Sequence, residues 1–267
     1  MTRTLSAIVL ILFALGIVFL ATPPVYLAGI GLMGTVCLYE YGKMMRSMGL
    51  RVRAWFLYGV FWILLLGLST GRGPVIAIVA MTVLVAFVSS LWRTRCPVRD
   101  RVGAMMAELF GILYMALCLY PALPIRYDFG GDTGLHWTLL MLLTLWGGDT
   151  FALAVGKKIG TRPLAPVLSP KKTREGAVAG LLAGAAIALA AHRFLFPDLP
   201  LVHVIAVSVL LGVFGQLGDL AESMIKRAAG IKDSSHLIPG HGGVLDRIDS
   251  LLFSLPVLYA YLLLVYR

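Results

Sequence analysis

The sequence predicts an all-α, polytopic integral membrane protein of about nine transmembrane helices with a cytoplasmic N-terminus. Three observations lead there. Of 267 residues, 59% are hydrophobic and 13% charged, whereas a soluble domain carries about a quarter charged residues. Apolar runs of roughly 17–25 residues, enough to cross a bilayer, recur along the whole chain. The basic residues also alternate between the connecting segments, with 19 of the 23 Lys and Arg in one set.

The elements follow in order. Arg3 precedes an apolar run over 4–21, longer than the roughly 7–15 residues of a signal-peptide core, so it is read as a retained first span. "TPP" at 22–24 separates it from a second span over 25–43, and a basic segment leads to a third over 54–70. "GRGP" at 71–74 introduces a fourth over 74–92; the fifth covers 104–124. "DFGGDTG" at 128–134 precedes the sixth, over 136–156, and the seventh runs over 175–196. "FPDLP" at 196–200 leads to the eighth, over 201–225, and the ninth covers 248–266. We divide the chain into N-terminal membrane spans (1–135, about five helices) and a C-terminal catalytic membrane region (136–267, about four helices).

Orientation follows from the basic residues. Arg3, the segment around Lys43 to Arg53, Arg93 to Arg101, Lys157 to Arg174, and Lys226 to Arg247 alternate with segments holding only Arg72, Arg126, Arg193 and Arg267. Cytoplasmic segments are the Lys/Arg-rich ones. Topology therefore accounts for the net charge of +10, and no nucleic-acid partner is called for. Cys37, Cys96 and Cys118 are odd in number and widely spaced, a pattern of small core fillers rather than of a disulfide framework or zinc site.

Ionisable groups are costly in a bilayer and mark function. Asp149 lies in the sixth span, Glu175 opens the seventh, Asp219 and Glu222 lie near the end of the eighth, and Asp246 and Asp249 begin the ninth. On this topology all collect near the cytoplasmic face. Asp219, Glu222, Ser223 and Lys226 are spaced i, i+3, i+4 and i+7, and so share one helix face, as do Asp246 and Asp249. Two helices joined by a short loop pack as neighbours, so these acidic faces are expected to meet. Converging carboxylates without His or Cys suit a hard cation such as Mg²⁺; the alternative is neutralisation of each acid by a local base, such as Asp246 by Arg247 or Arg227.

Glycine supplies further patterns. Gly212, Gly215 and Gly218 make a thin face on the eighth span, which fits either a ligand beside Asp219 or close helix packing. Gly176, Gly180 and Gly184 have small-xxx-small spacing and are read as packing. In "GHGG", Gly242 and Gly243 would let backbone N–H groups approach a phosphate at the start of the ninth helix, and His241 would donate to that phosphate or cap the turn. "GIGLMG" at 29–34 fits Gly-x-Gly-x-x-Gly, but it lies inside an apolar span with no preceding strand and is not a dinucleotide site. Lys157, Lys158, Arg162, Lys171, Lys172 and Arg174 make the most basic segment; orientation alone predicts some of these residues, but "SPKKT" is denser than it requires, and the segment is expected to bind phosphate.

Ser223 to Asp249 reads "SMIKRAAGIKDSSHLIPGHGGVLDRID". It resembles the signature of the phosphatidate cytidylyltransferases, or CDP-diacylglycerol synthases: Ser-x-apolar-Lys-Arg, four free residues, Lys-Asp, then Pro-x-His-Gly-Gly and Asp-Arg-x-Asp. Ser223, Lys226, Arg227, Lys232, Asp233, Pro239, His241, Gly242, Gly243, Asp246, Arg247 and Asp249 meet every fixed position. "GDTFALAVGKKIG" and "SPKKTREG", between Gly148 and Gly176, resemble the family's second region, with Arg174 where many members carry an aromatic residue.

The resemblance implies transfer of CMP from CTP to phosphatidic acid, with release of pyrophosphate and CDP-diacylglycerol. It further implies a Mg²⁺ cofactor, the number of cations staying open, and a homodimer. The ion would be held by Asp219, Asp246 and Asp249, with Asp219, Asp246 and Lys226 catalytic. The substrates would contact Asp149, Ser169, Lys171, Lys172, Glu175, Ser223, Arg227, His241, Gly242, Gly243 and Arg247. The setting would be a bacterial inner membrane with the site facing the cytoplasm. The alternatives are a CTP-dependent enzyme acting on another membrane lipid and, from another class, a transporter of a phosphorylated metabolite. Against transport, the chain shows no internal repeat, and its acids lie at one face rather than at a midplane.

Overall fold

The structure, a computed structural model, describes residues 11–12, 14–71, 75–93, 97–130, 132–238, 240 and 242–266. Of the expected site and signature residues, His241 and Pro239 lie outside this set, as do Cys96 and much of the first span. The described residues are overwhelmingly helical. Residues 14–20 are helical, followed by α1 (Pro23–Ser47), α2 (Ala54–Ser69), α3 (Val75–Leu91), α4 (Val98–Leu119), α5 (Ala122–Tyr127) and α6 (Thr133–Ile159). A hairpin of β1 (Pro163–Ala165) and β2 (Ser169–Thr173) leads to α7 (Arg174–Leu195), α8 (Leu201–Ala228) and α9 (Leu245–Tyr261), which ends in a π-turn.

Among the described residues, five stretches are long and apolar enough to cross a bilayer: Val98–Tyr127, Thr133–Ile159, Arg174–Leu195, Leu201–Ala228 and Leu245–Val265. The protein is thus an all-α integral membrane protein.

Local chemistry sets the ends. Pro23 and Pro24 open α1, where a missing N–H costs nothing. The helix stops at Gly49 (φ +83°), with Leu50 N–H donating back to Met45 O at 3.0 Å, a glycine C-cap. Gly230 (φ +71°) ends α8 in the same way, with Ile231 N–H donating to Lys226 O at 3.0 Å. That stop lies one turn beyond the expected end of the eighth span, and the added turn carries Lys226 and Arg227. The expected basic loop is the site of the largest local difference. Thr161 to Thr173 folds into an antiparallel hairpin, Pro163 pairing with Thr173 and Ala165 with Ser169.

The fold comprises two compact units. One contains Met1–Leu123 and Ile225–Arg247, the other Pro124–Met224 and Ile248–Arg267. In the first, Cys37, Leu38, Leu57, Phe61, Leu64, Ile112 and Met115 are fully buried. Two glycines of "GIGLMG" serve packing here: a Cβ on Gly31 would run into the Trp62 ring, and one on Gly34 into Phe61. Trp62 Nε1 donates to Thr35 Oγ1 at 3.0 Å, and Tyr41 OH donates to Ala107 O at 2.9 Å. Glu108, fully buried, accepts from Arg53 N (2.7 Å), Nε (3.0 Å) and Nη2 (2.6 Å) and from Arg93 Nη1 (3.2 Å).

In the second unit Trp137, Leu140, Ala188, Val204, Leu211, Leu252 and Leu255 form the core. Helices α6 and α7 approach through glycine, as expected from the small-xxx-small spacing. A Cβ on Gly180 would lie 2.9 Å from Gly148 O, and one on Gly176 2.6 Å from Ala152 O. Ser208 Oγ donates to Gly184 O at 2.7 Å, satisfying a buried hydroxyl on α8.

Candidate active site

In the second unit, α8 carries Asp219, Glu222 and Ser223 of the face predicted from spacing; Lys226 belongs to the first unit. Asp219 forms an ion pair with Lys172 of β2, and Ser223 Oγ approaches Asp219 Oδ1 at 3.5 Å. Asp249, at the start of this unit's part of α9, is buried near the carboxylates of Glu222 and Asp219. Ser250 N–H donates to Asp249 Oδ1 at 2.6 Å. The two helices meet closely here, because Gly218 has no side chain: a Cβ would stand 2.5 Å from Asp249 O.

The hairpin separates two lysines that the sequence presents as equals. Neighbours on a strand point to opposite sides, so Lys172 reaches Asp219 while Lys171 stays exposed. Ser169 is half-buried at the strand's start. Glu175 is engaged locally, accepting from Thr161 Oγ1 at 2.8 Å and Arg162 N at 3.3 Å, which ties the hairpin base to α7. Thr173 caps α7 by accepting from Gly176 N at 3.2 Å. Asp149 is exposed and lines a small cleft with Thr144, Gly148, Gly180, Gly215 and Gln216. Gly212 and Gly215 also line it, yet a Cβ on either would press on Leu181 (2.8 Å) or Leu145 (2.5 Å). The glycine face of α8 therefore both packs and borders a cleft.

In the first unit, Lys226 Nζ donates to Asp246 Oδ1 at 2.6 Å, and both side chains are about nine-tenths buried (10% and 6% exposed). Lys226 thus supplies the base that neutralises Asp246, rather than Arg227 or Arg247, which are exposed. Asp246 Oδ2 accepts from Ser234 N (2.9 Å), Ser234 Oγ (2.9 Å) and Gly243 N (2.8 Å). The Gly243 N–H, expected to face a phosphate, is turned onto Asp246. Gly242 adopts φ +83° and Gly240 φ +78°, conformations that favour glycine. Ile238 N–H donates to Gly242 O at 2.9 Å, closing the turn.

One residue of this assembly was not singled out from the sequence. Glu40 of α1 is fully buried. Its carboxylate accepts from Ser235 Oγ (2.5 Å) and Val244 N (3.0 Å) on Oε1, and from Ser234 Oγ (3.0 Å) and Leu245 N (2.8 Å) on Oε2. A lone acid in the apolar stretch "CLYEYG" is the signal that could have found it. Glu108, inside the fifth expected span, carries the same signal.

Asp219 and Asp249 offer oxygen donors, the kind a hard divalent cation prefers. Among the described residues no three His, Cys, Asp or Glu side chains gather closely enough to hold an ion by themselves. That donor set fits Mg²⁺, which typically takes one or two carboxylates and completes its shell with water and substrate phosphate.

A bilayer-spanning helical protein that presents paired acids and lysines, with a glycine-rich turn on a buried carboxylate, has the groups of a phosphate-handling membrane protein. The sequence pattern of the Cytidylyltransferase family matches residues 1–265, and the chain belongs to that family. It is similar to the phosphatidate cytidylyltransferase of Staphylococcus saprophyticus, 37% identical over 183 residues, covering 68% of this chain and 66% of that protein. The phosphatidate cytidylyltransferase of Staphylococcus aureus (strain COL) matches to the same extent. That of Bacillus subtilis (strain 168) is 37% identical over 165 residues, 62% of this chain and 60% of that protein. The chain thus spans 60–66% of the length of these curated relatives.

Proposed function

We propose that this protein transfers CMP from CTP to phosphatidic acid, giving CDP-diacylglycerol and pyrophosphate. The observation that carries the reading is the complete signature of Ser223 to Asp249 in a chain matched by the family over residues 1–265. A phosphate oxygen of the lipid attacks the α-phosphorus of CTP, the Pα–O bond to the β-phosphate breaks, and pyrophosphate leaves with the electron pair. Such a displacement depends on positioning and charge neutralisation more than on covalent help. Lys172 and Lys226 are half-buried and buried ammonium groups held by carboxylates; we assign them, with Lys171 and Arg227, to the phosphates.

Asp219 and Asp249 are assigned to Mg²⁺. When bound, the ion would polarise phosphate oxygens and lower the charge on the leaving pyrophosphate. Asp246, whose oxygens are committed to Lys226, Ser234 and Gly243, is assigned to holding the glycine turn and orienting Lys226. We further propose nine spans with the N-terminus and the site on the cytoplasmic side of a bacterial inner membrane. The division at residue 135 and a homodimeric assembly belong to the same reading.

Purified protein supplied with CTP, Mg²⁺ and phosphatidic acid in mixed micelles should form CDP-diacylglycerol and pyrophosphate in equal amounts. A chelator should stop the reaction, and added Mg²⁺ should restore it. CMP transfer only to another lipid acceptor would reassign the substrate; no transfer to any lipid would refute the proposal.

A further inference from the structure

The described part of the Ser234–Leu245 turn is held by Glu40, about two hundred positions away in sequence and in the same compact unit. Four donors converge on the Glu40 carboxylate, and all four come from this turn. Two are the backbone N–H groups of Val244 and Leu245, at the start of α9, where helix amides lack internal partners. Glu40 therefore does for α9 what an N-cap side chain does, with a full negative charge at the positive end of the helix. Gly243 completes the fit, since a Cβ there would collide with Ser234 Oγ and Glu40 Oε1.

The same turn delivers the groups that hold Asp246. Ser234 stands between both carboxylates: its N–H donates to Asp246, and its single hydroxyl proton is shared between Glu40 Oε2 (3.0 Å) and Asp246 Oδ2 (2.9 Å). Asp246 in turn grips Lys226. From this chain of contacts we infer that Glu40 is a positioning residue for CMP transfer, acting through the Ser234–Gly243 turn on Asp246 and Lys226. The inference rests on the activity proposed above.

Glu40→Gln tests it, because the amide preserves size but not acceptor number. Each carboxylate oxygen receives one hydroxyl and one backbone N–H. Whichever way the glutamine turns, its NH₂ opposes the N–H of Val244 or of Leu245. The folded variant should lose about 10–100-fold in kcat, the usual effect of removing a partner that orients catalytic groups, with KM for CTP changed far less. Hydrogen exchange of the Gly243, Val244 and Leu245 amides should accelerate without substrate present. Ser235→Ala, a milder change at the same carboxylate, should speed exchange at Val244 and lower kcat less, and the double variant should be no worse than Glu40→Gln alone. Should Glu40→Gln not fold, Ser235→Ala decides. Unchanged exchange and wild-type turnover per folded molecule would overturn the inference. A wild-type protein that transfers no CMP refutes the activity itself, and the exchange measurement then judges the anchoring separately.

Discussion

Replacing Asp246 by asparagine perturbs one atom in a place where the structure gives that atom a definite task. Asp246 receives Lys226 Nζ on Oδ1 at 2.6 Å and, on Oδ2 at 2.8–2.9 Å, the N–H groups of Ser234 and Gly243 together with the Ser234 hydroxyl proton that it shares with Glu40. Asparagine has a single acceptor oxygen. Placed at Oδ2, that oxygen keeps the turn but sets an NH₂ against the Lys226 ammonium. Placed at Oδ1, it keeps Lys226 and sets the NH₂ against two backbone N–H groups. The first arrangement loses one charge-assisted hydrogen bond between groups that are nearly buried, worth about 2 kcal/mol. Returning a loosened Lys226 to its place for the transition state then costs the same amount, and since 1.36 kcal/mol is tenfold in rate, kcat/KM should fall by about 30-fold. The assay is CDP-diacylglycerol formation from CTP and phosphatidic acid by variant that elutes as folded protein in detergent. Lys226→Met should cost at least as much, and the double variant should cost no more than the worse single change, because the two residues act as one unit. Near-normal turnover by Asp246→Asn, or additive losses in the double variant, would refute the coupling of Asp246 to Lys226.

Two further outcomes follow from the geometry. Gly218→Ala should destabilise the second unit by about 1–3 kcal/mol, because its Cβ meets backbone at Asp249 O (2.5 Å); Gly212→Ala, facing only the flexible Leu181 side chain (2.8 Å), should cost less. Thermal unfolding in detergent checks the order, and the reverse ranking would show that these helices separate easily. Glu108→Gln leaves Arg53 and Arg93 without a carboxylate in the first unit. Breaking such a buried pair costs about 3 kcal/mol, which should lower Tm by on the order of 10 °C, while turnover per folded molecule stays at the wild-type level.

The membrane class was legible from the sequence because it depends on an average: a long apolar run must leave water wherever it sits. The acidic face of α8 was legible for a related reason, since Asp219, Glu222, Ser223 and Lys226 need only helical periodicity to share a side. The packing role of Gly176, Gly180 and Gly184 also followed from spacing alone. The stretch Thr161 to Thr173 read as a basic loop because its two strands are three and five residues long, too short for alternation to stand out. That hairpin is what sends Lys172 to Asp219 and leaves Lys171 exposed.

The kind of protein and the chemical groups at its disposal are written in the order of residues: apolar spans, a Ser-to-Asp signature, and carboxylate and ammonium groups suited to phosphate. Which group answers which depends on the fold. Lys226 rather than Arg227 or Arg247 pairs with Asp246, and the Gly243 amide turns onto a carboxylate. Glu40, remote along the chain, closes the first turn of α9. The physical reason is that hydrogen bonds and ion pairs act over about 3 Å in space. Periodicity carries that information within one helix, and it is silent across the roughly two hundred residues that separate Glu40 from the turn it holds.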